Sequence, residues 1–320
     1  MTTRRAALAL LTTPSLAFAQ GFPSRSLRLV IPFTAGGSND IVGRILAEGM
    51  SARLGQPIVI ENRGGAGGIL GNDLVAKAAP DGHTLLLAGS GSFVISSLVH
   101  PRVPYDVANG FTPIGYLGAA PNVIAVNPRV PVHSLAELRD FARALNPPLT
   151  FGTPGAGTTA HALGAMVALT LGFEVDMIHY RGTAPALTDV VAGRVQMISN
   201  AAAPFLPFLA AGSLRAIAIA GRQRASILPE LSTSFEQGFP EIDSATWYGL
   251  LAPFGTPADP IARLHAALNA TLGDASVRAR LIENGVEIET SPTPADFGRF
   301  VAAERERWGV IVRRANLRND

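Results

Sequence analysis

Apolar positions along the chain fall into short runs that alternate with amphipathic stretches. Residues 27–33 form an apolar run of strand length. A turn of Thr34, Ala35, Gly36, Gly37, Ser38, Asn39 and Asp40 follows, and then a helical periodicity over 41–54. Residues 57–61 read as a second strand. A glycine-rich link at 64–68 leads into a helix ending near Ala79, and Pro80-Asp81-Gly82 turns the chain into a third strand at 84–88. Strands that alternate with helices predict an α/β fold with a mainly parallel, doubly wound sheet.

The periodicity fails between 100 and 110, where prolines interrupt it. Beyond this break 122–126 reads as a strand, and 134–144 as a helix opened by Ser134 with Glu137 three residues on, the pattern of a capping box. A second β-α series follows: a strand at 149–152, a glycine turn at 153–159, a helix at 160–171, a strand at 175–180, a helix at 184–192, and strands at 195–199 and 214–220. An apolar run at 247–252, helices at 260–272 and 276–284, a short strand at 286–289 and a long helix at 294–315 complete the chain, with Pro294 in that helix's first turn. Two series of similar make-up predict two lobes. The extended segments near 119–128 and 243–253 are expected to cross between them, giving lobe 1 as 20–120 plus 246–320 and lobe 2 as 121–245. A pair of crossing strands suits a molecule that closes on its ligand.

Both glycine turns stand where a strand enters a helix, the place where free N–H groups and the positive end of the helix dipole meet an anion. Neither turn contains Lys or Arg, so the anion would be held by N–H groups, hydroxyls and water, which suits a carboxylate better than a polyphosphate. Either turn can equally be a plain connection. Asp40 reads as a helix cap or as a partner for a ligand ammonium, His161 as a satisfied half-buried histidine or a cleft residue, and Asn200 as a turn residue or a cleft residue. Gly155, Gly157 and Ala160 also match G-x-G-x-x-A, with Asp176 at the distance of a ribose contact, so a dinucleotide is the alternative ligand.

Composition narrows these readings. The chain has 26 basic and 24 acidic residues. Removal of the expected leader takes Arg4 and Arg5 and leaves the two balanced, so no charge argument favours nucleic acid or a membrane surface. There is no cysteine, which excludes disulfides, zinc–thiolate sites and a cysteine nucleophile. The six histidines are scattered without metal-ligand spacing, and Ser90 and Ser92 lack the G-x-S-x-G frame of a hydrolase. No cofactor, no metal and no catalytic residue is expected. An exported α/β enzyme remains the alternative class. Residues 1–19 read as a signal peptide, with Arg4-Arg5, a short apolar stretch and Ala17-Phe18-Ala19 as the cleavage signal. The expected place is the periplasm, reached by the general route or, given the arginine pair, the twin-arginine route.

The stretch Pro32-Phe33-Thr34-Ala35-Gly36-Gly37-Ser38-Asn39-Asp40 resembles the first-turn signature of the tripartite tricarboxylate transporter substrate-binding proteins, the Bug family. So do Glu61-Asn62-Arg63-Gly64-Gly65-Ala66-Gly67-Gly68, Pro80-Asp81-Gly82, Pro104-Tyr105-Asp106, the turn from Gly152 through Thr153 and Pro154 to His161, Tyr180-Arg181-Gly182 and Trp247-Tyr248-Gly249. The resemblance implies a periplasmic binding protein of type II, with two doubly wound lobes joined by two crossover strands and the ligand cleft between them. It implies a small carboxylate ligand, held by the first turn at one end and the second turn at the other. The implied partner is a membrane permease, or a sensor receptor where the protein serves signalling. The candidate ligand-binding set is Ala35, Gly36, Gly37, Ser38, Asn39, Asp40, Ser90, Gly155, Ala156, Gly157, Thr158, Thr159, His161, Tyr180 and Asn200. A monomer is expected. Three departures stand out: Ala35 replaces the usual Pro, His179 stands where Pro usually precedes the Tyr, and Asn200 stands where an acid is frequent. The last removes a partner for a ligand ammonium. His179 adds a pH-sensitive donor near the cleft.

Overall fold

The computed structural model describes residues 21–317, so the expected leader lies outside the described residues. The first series comprises β1 (Leu27–Ile31), α1 (Ser38–Leu54), β2 (Ile58–Asn62), α2 (Ile69–Ala76) and β3 (Thr84–Gly89). β1 lies between β2 and β3 and pairs parallel with both. A π-helical turn, Ser90–Ile95, then runs into α3 (Ser96–Val99). All six residues of that turn are buried. With no polar face it has no period to read in the sequence.

β4 (Phe111–Val126) is followed by α4 (Leu135–Arg143), β5 (Leu149–Thr153), α5 (Thr159–Leu171), β6 (Val175–His179), α6 (Thr183–Val191), β7 (Met197–Ala201), α7 (Leu206–Ala210) and β8 (Arg215–Ala220). The chain returns through β9 (Ala245–Pro253) and ends with α8 (Ala258–Leu272), α9 (Ala275–Glu283), β10 (Glu287–Ile288) and α10 (Pro294–Arg314). Two sheets result, in line with the two lobes expected from the sequence. One has the order β2-β1-β3-β9-β4, with β10 also on β4, and the other has β4 flanked by β7 and β8, with β5 and β6 beyond β7.

β4 belongs to both sheets. Residues 111–121 pair antiparallel with β9, and 122–126 pair antiparallel with β7 and β8. The sheets are therefore mixed. The βαβ units β1-β2, β1-β3, β5-β6 and β5-β7 are parallel, as the alternation predicts, while the crossing strands run against them. At the change of sheet Asn122 is fully buried. Its N–H donates to Ser244 O (3.2 Å), its Nδ2 to Ser244 Oγ (2.8 Å), and its Oδ1 accepts from Thr246 Oγ1 (2.9 Å). The outgoing and returning chains are thus tied side by side, with the buried polar groups satisfied. α10 braces the return. Glu304 Oε2 accepts the indole N–H of both Trp247 and Trp308 at 3.0 Å, and Arg307 donates to Asp243 O at 3.1 Å.

The helix ends follow local chemistry. Thr293 and Asp296 form a full capping box at α10. At α4 the predicted box is only half made. Ser134 Oγ accepts the Glu137 N–H at 3.2 Å, but the Glu137 carboxylate takes the N–H of His133 at 2.7 Å instead of that of Ser134. α1 buries Val42, Ile45, Leu46 and Met50 against Leu29, Ile31, Leu85 and Leu87 of the first sheet, which fixes where its N-terminus points.

Candidate functional site

The first turn leaves β1 through Phe33 and Thr34 and enters α1 at Gly37, which is extended and offers no side-chain cap. The first N–H groups of α1 therefore lack a side-chain acceptor. The turn is held from behind. The Asp40 carboxylate accepts the Gly36 N–H, Arg44 Nε and Asn62 Nδ2, each at 3.0 Å, and Asn62 also donates to Phe33 O at 3.2 Å. Burial pushes the Asp40 carboxyl up, but the hydrogen bonds from Arg44, Gly36 and Asn62 outweigh it and hold the group below the usual carboxylate value. Asp40 is thus an ionised brace, buried and paired with Arg44.

The second turn is held by its own atoms. Thr158 caps α5: its Oγ1 accepts the His161 N–H (3.3 Å) and donates to Gly155 O (2.7 Å). His161 Nδ1 accepts the Gly157 N–H (3.0 Å), and Thr153 Oγ1 accepts the Gly155 N–H (3.2 Å). The His161 ring lies edge-on to His179, centroids 4.8 Å apart. Burial first, then the neighbouring His179 and His100, push its pKa down to about 4.

The two turns face each other across a closed seam. Ser90 donates to Ala245 O (3.3 Å), so its 3.0 Å contact with Thr159 Oγ1 is a bond donated by the threonine from the opposite lobe. Gly182 has φ +138°, and a methyl there would stand 2.0 Å from Thr34 Oγ1, so only glycine permits the approach. Between the turns lies a tight cavity of about 20 Å³, room for about one water in this closed arrangement. Its wall is Phe33, Thr34, Gly37, Asn39, Gly89, Gly91, Ser92, Pro154, Thr158, Thr159, Ala160, Thr183, Asn200 and Thr246, without one ionisable side chain. Three of these residues carry buried oxygens with no hydrogen-bond partner: Thr34 Oγ1, Asn39 Oδ1 and Ser92 Oγ. Asn200 Nδ2 donates to Thr183 Oγ1 at 2.6 Å.

Of the residues singled out in the sequence, Gly37, Asn39, Thr158, Thr159 and Asn200 line this cavity. Ala35, Gly36, Ser38 and Asp40 belong to the turn and to the first turn of α1, outside the wall. Ser90 ties the seam, and Gly157 and His161 brace the end of α5. Gly155, Ala156 and Tyr180 line an adjoining outer chamber. The Tyr180 hydroxyl donates to Asp189 (2.6 Å), and burial first, then Asp189, pushes its pKa up to about 12. His179, beside it, has its pKa lowered by burial and by His100.

Sequence reasoning missed Gly89, Gly91 and Ser92, which flank or belong to the featureless π turn, and Thr183 and Thr246. Thr183 had a signal, a hydroxyl opening a helix just after Tyr180-Arg181-Gly182. The G-x-G-x-x-A stretch does open α5, but the opposite lobe packs over it. A methyl on Gly91 would lie 2.7 Å from Thr159 N, and one on Gly157 2.8 Å from Ser96 Cα, which leaves no room there for a pyrophosphate. Among the described residues no group of three or more His, Asp or Glu is placed to hold a metal ion, and no helix is long and apolar enough to cross a membrane.

Known proteins share this arrangement. The periplasmic binding protein BugD superposes with a TM-score of 0.89 at 31% identity, over 93% of this chain and 100% of that one. MatC from Rhodopseudomonas palustris, solved with malate, gives 0.86 at 32% identity over 91% and 100% of the two chains. An R. palustris protein solved with adipate gives 0.88 at 34% identity over 92% and 98%. Residues 42–317 match the tripartite tricarboxylate transporter family receptor, and the chain therefore belongs to that family of solute-binding proteins.

Proposed function

We propose that the chain captures a small di- or tricarboxylate in the periplasm and delivers it to the membrane permease of a tripartite transporter. The carrying observation is the cavity itself: the uncapped end of α1 and the unpartnered oxygens of Thr34, Asn39 and Ser92 belong to a wall with no charged group. Hydroxyl and N–H donors at a positive helix end are the chemistry of carboxylate capture without an ion pair. Asn39 Oδ1 accepts, so it calls for a ligand hydroxyl or a water. Malate in MatC and adipate in the R. palustris relative support the carboxylate class. The proposed ligand-contacting set is Thr34, Gly37, Asn39 and Ser92, with Thr158, Thr159 and Asn200 shaping the opposite wall. The proposed lobes are 20–120 plus 246–320 and 121–245, a division supported by the change of partners along β4.

Capture works by closure. The seam at Ser90–Thr159 and Thr34–Gly182 forms when the lobes meet, water is excluded, and each hydrogen bond to the ligand strengthens in the lower dielectric. The test is thermal unfolding of residues 20–320 with mono-, di- and tricarboxylates, amino acids and NAD. A ligand at 100 times its Kd adds about 2.7 kcal/mol, a shift of several degrees for a chain of this size. A carboxylate-specific shift is expected. A shift with NAD and none with any carboxylate overturns the reading.

A further inference from the structure

Phe33 and Pro154 line two spaces. The inner cavity is neutral throughout its wall. The outer chamber, about 370 Å³, is walled by the glycine link at 65–68, by Gly155 and Ala156, and by His100, His179, Tyr180 and Arg181. Its chemistry is one-sided. No acidic side chain lines it. The Tyr180 hydroxyl donates to Asp189, and that carboxylate is already held by Arg194. Arg181 has no carboxylate partner among the described residues, whereas Arg28, Arg44 and Arg194 each have one.

His179 adds a donor. Its Nδ1 lies 2.6 Å from Thr153 Oγ1, and that oxygen already accepts the Gly155 N–H. With the threonine proton directed at Nδ1, the neutral imidazole carries its own proton on Nε2. A chamber between two lobes, bounded by an unpaired guanidinium and an imidazole N–H and free of carboxylates, is complementary to an anion. The residues it shares with the neutral cavity are an aromatic ring and a proline, fit to flank a methylene chain.

We propose that the outer chamber is a second anion subsite, with Arg181 as its cation, for the distal carboxylate of a ligand whose first carboxylate occupies the inner cavity. This rests on the carboxylate reading of the inner cavity and sharpens it. The preferred ligands are polycarboxylates long enough to pass Phe33 and Pro154, not short monocarboxylates.

The experiment is calorimetric titration of residues 20–320 at pH 8 and low salt. Straight-chain α,ω-dicarboxylates of increasing length are compared with monocarboxylates of the same lengths, in the wild type, Arg181→Gln and Arg181→Lys. Arg181 is exposed, so neither substitution threatens the fold. Wild type is expected to favour the longer diacids over their monoacid counterparts by about five- to tenfold, the scale of one charge-assisted bond at a partly open site. Arg181→Gln is expected to erase that preference while monoacid affinity stays within about twofold, and Arg181→Lys to keep most of it. A diacid preference untouched by Arg181→Gln, or equal losses for monoacids and diacids, overturns the subsite and leaves the inner-cavity reading standing. Failure of every carboxylate to bind the wild type overturns both.

Discussion

The two glycine turns look alike as sequence and are built in opposite ways. The first, ahead of α1, is secured from outside by a buried carboxylate, Asp40, anchored to Arg44 and Asn62, and its helix end is left uncapped. The second, ahead of α5, is secured from within: Thr158, His161 and Thr153 take up the N–H groups of His161, Gly157 and Gly155. A turn whose donors close on themselves offers shape, and a turn held from behind keeps its donors free. On the proposed carboxylate reading, the first turn is therefore the anion holder, and the second mainly shapes the opposite wall and the seam.

The most damaging way to probe this contrast is Asp40→Ala. Loss of the carboxylate leaves the Gly36 N–H, the Asn62 amide and Arg44 without their common acceptor. With one buried charged acceptor removed, a cost of about 2–3 kcal/mol is expected, together with loss of carboxylate binding, measured by urea unfolding and titration. Full binding in a folded Asp40→Ala protein would break the contrast.

The pH response comes next and tests the second turn. The His161 pKa is about 4 in the folded protein, against an ordinary value of about 6.5 in the unfolded chain. Above the unfolded value neither state binds the proton. As pH falls below it the unfolded chain protonates first, so stability is lost from about pH 6.5 down to about 4. Between pH 6.5 and 5 this amounts to about 2 kcal/mol. His161→Gln is expected to lose less over the same interval in urea titrations. An identical pH slope in the two proteins would mean that this histidine does not carry the effect.

Smallest is the cap. Thr158→Ala removes the side chain that starts α5 and is expected to cost about 1 kcal/mol, with Thr158→Ser near wild type. A loss as large as that of Asp40→Ala would show that the two turns are held equally firmly, against the contrast drawn above.

What could be read from the sequence follows from where periodicity exists. The β-α units carried it, so 84–88 anticipates β3, 160–171 anticipates α5 and 294–315 anticipates α10 to within a residue or two. The Ser90–Ile95 turn and the first half of β4 did not, because they are buried on all sides or run through prolines and glycines. The two turns were visible as composition, but their difference was not. Whether a hydroxyl caps a helix or faces a ligand depends on one rotamer and one neighbour. Asn62 and Arg44, which fix Asp40, lie 22 and 4 residues from it and carry no mark of that role.

The passage of one strand through both sheets also sets an order of assembly. In the first sheet β3 and β4 do not touch directly, because β9 lies between them, and Leu86 pairs with Leu251. While the chain is being made, β3 therefore keeps an open edge until residues 245–253 have followed. The sheet of β5, β6, β7 and β8 already has its partners by Ala220. Long-range strand pairing is slow and an open edge is a site of aggregation. The half of the molecule made first is thus the half completed last, and the segment after residue 245 acts as the keystone of a sheet begun at residue 27.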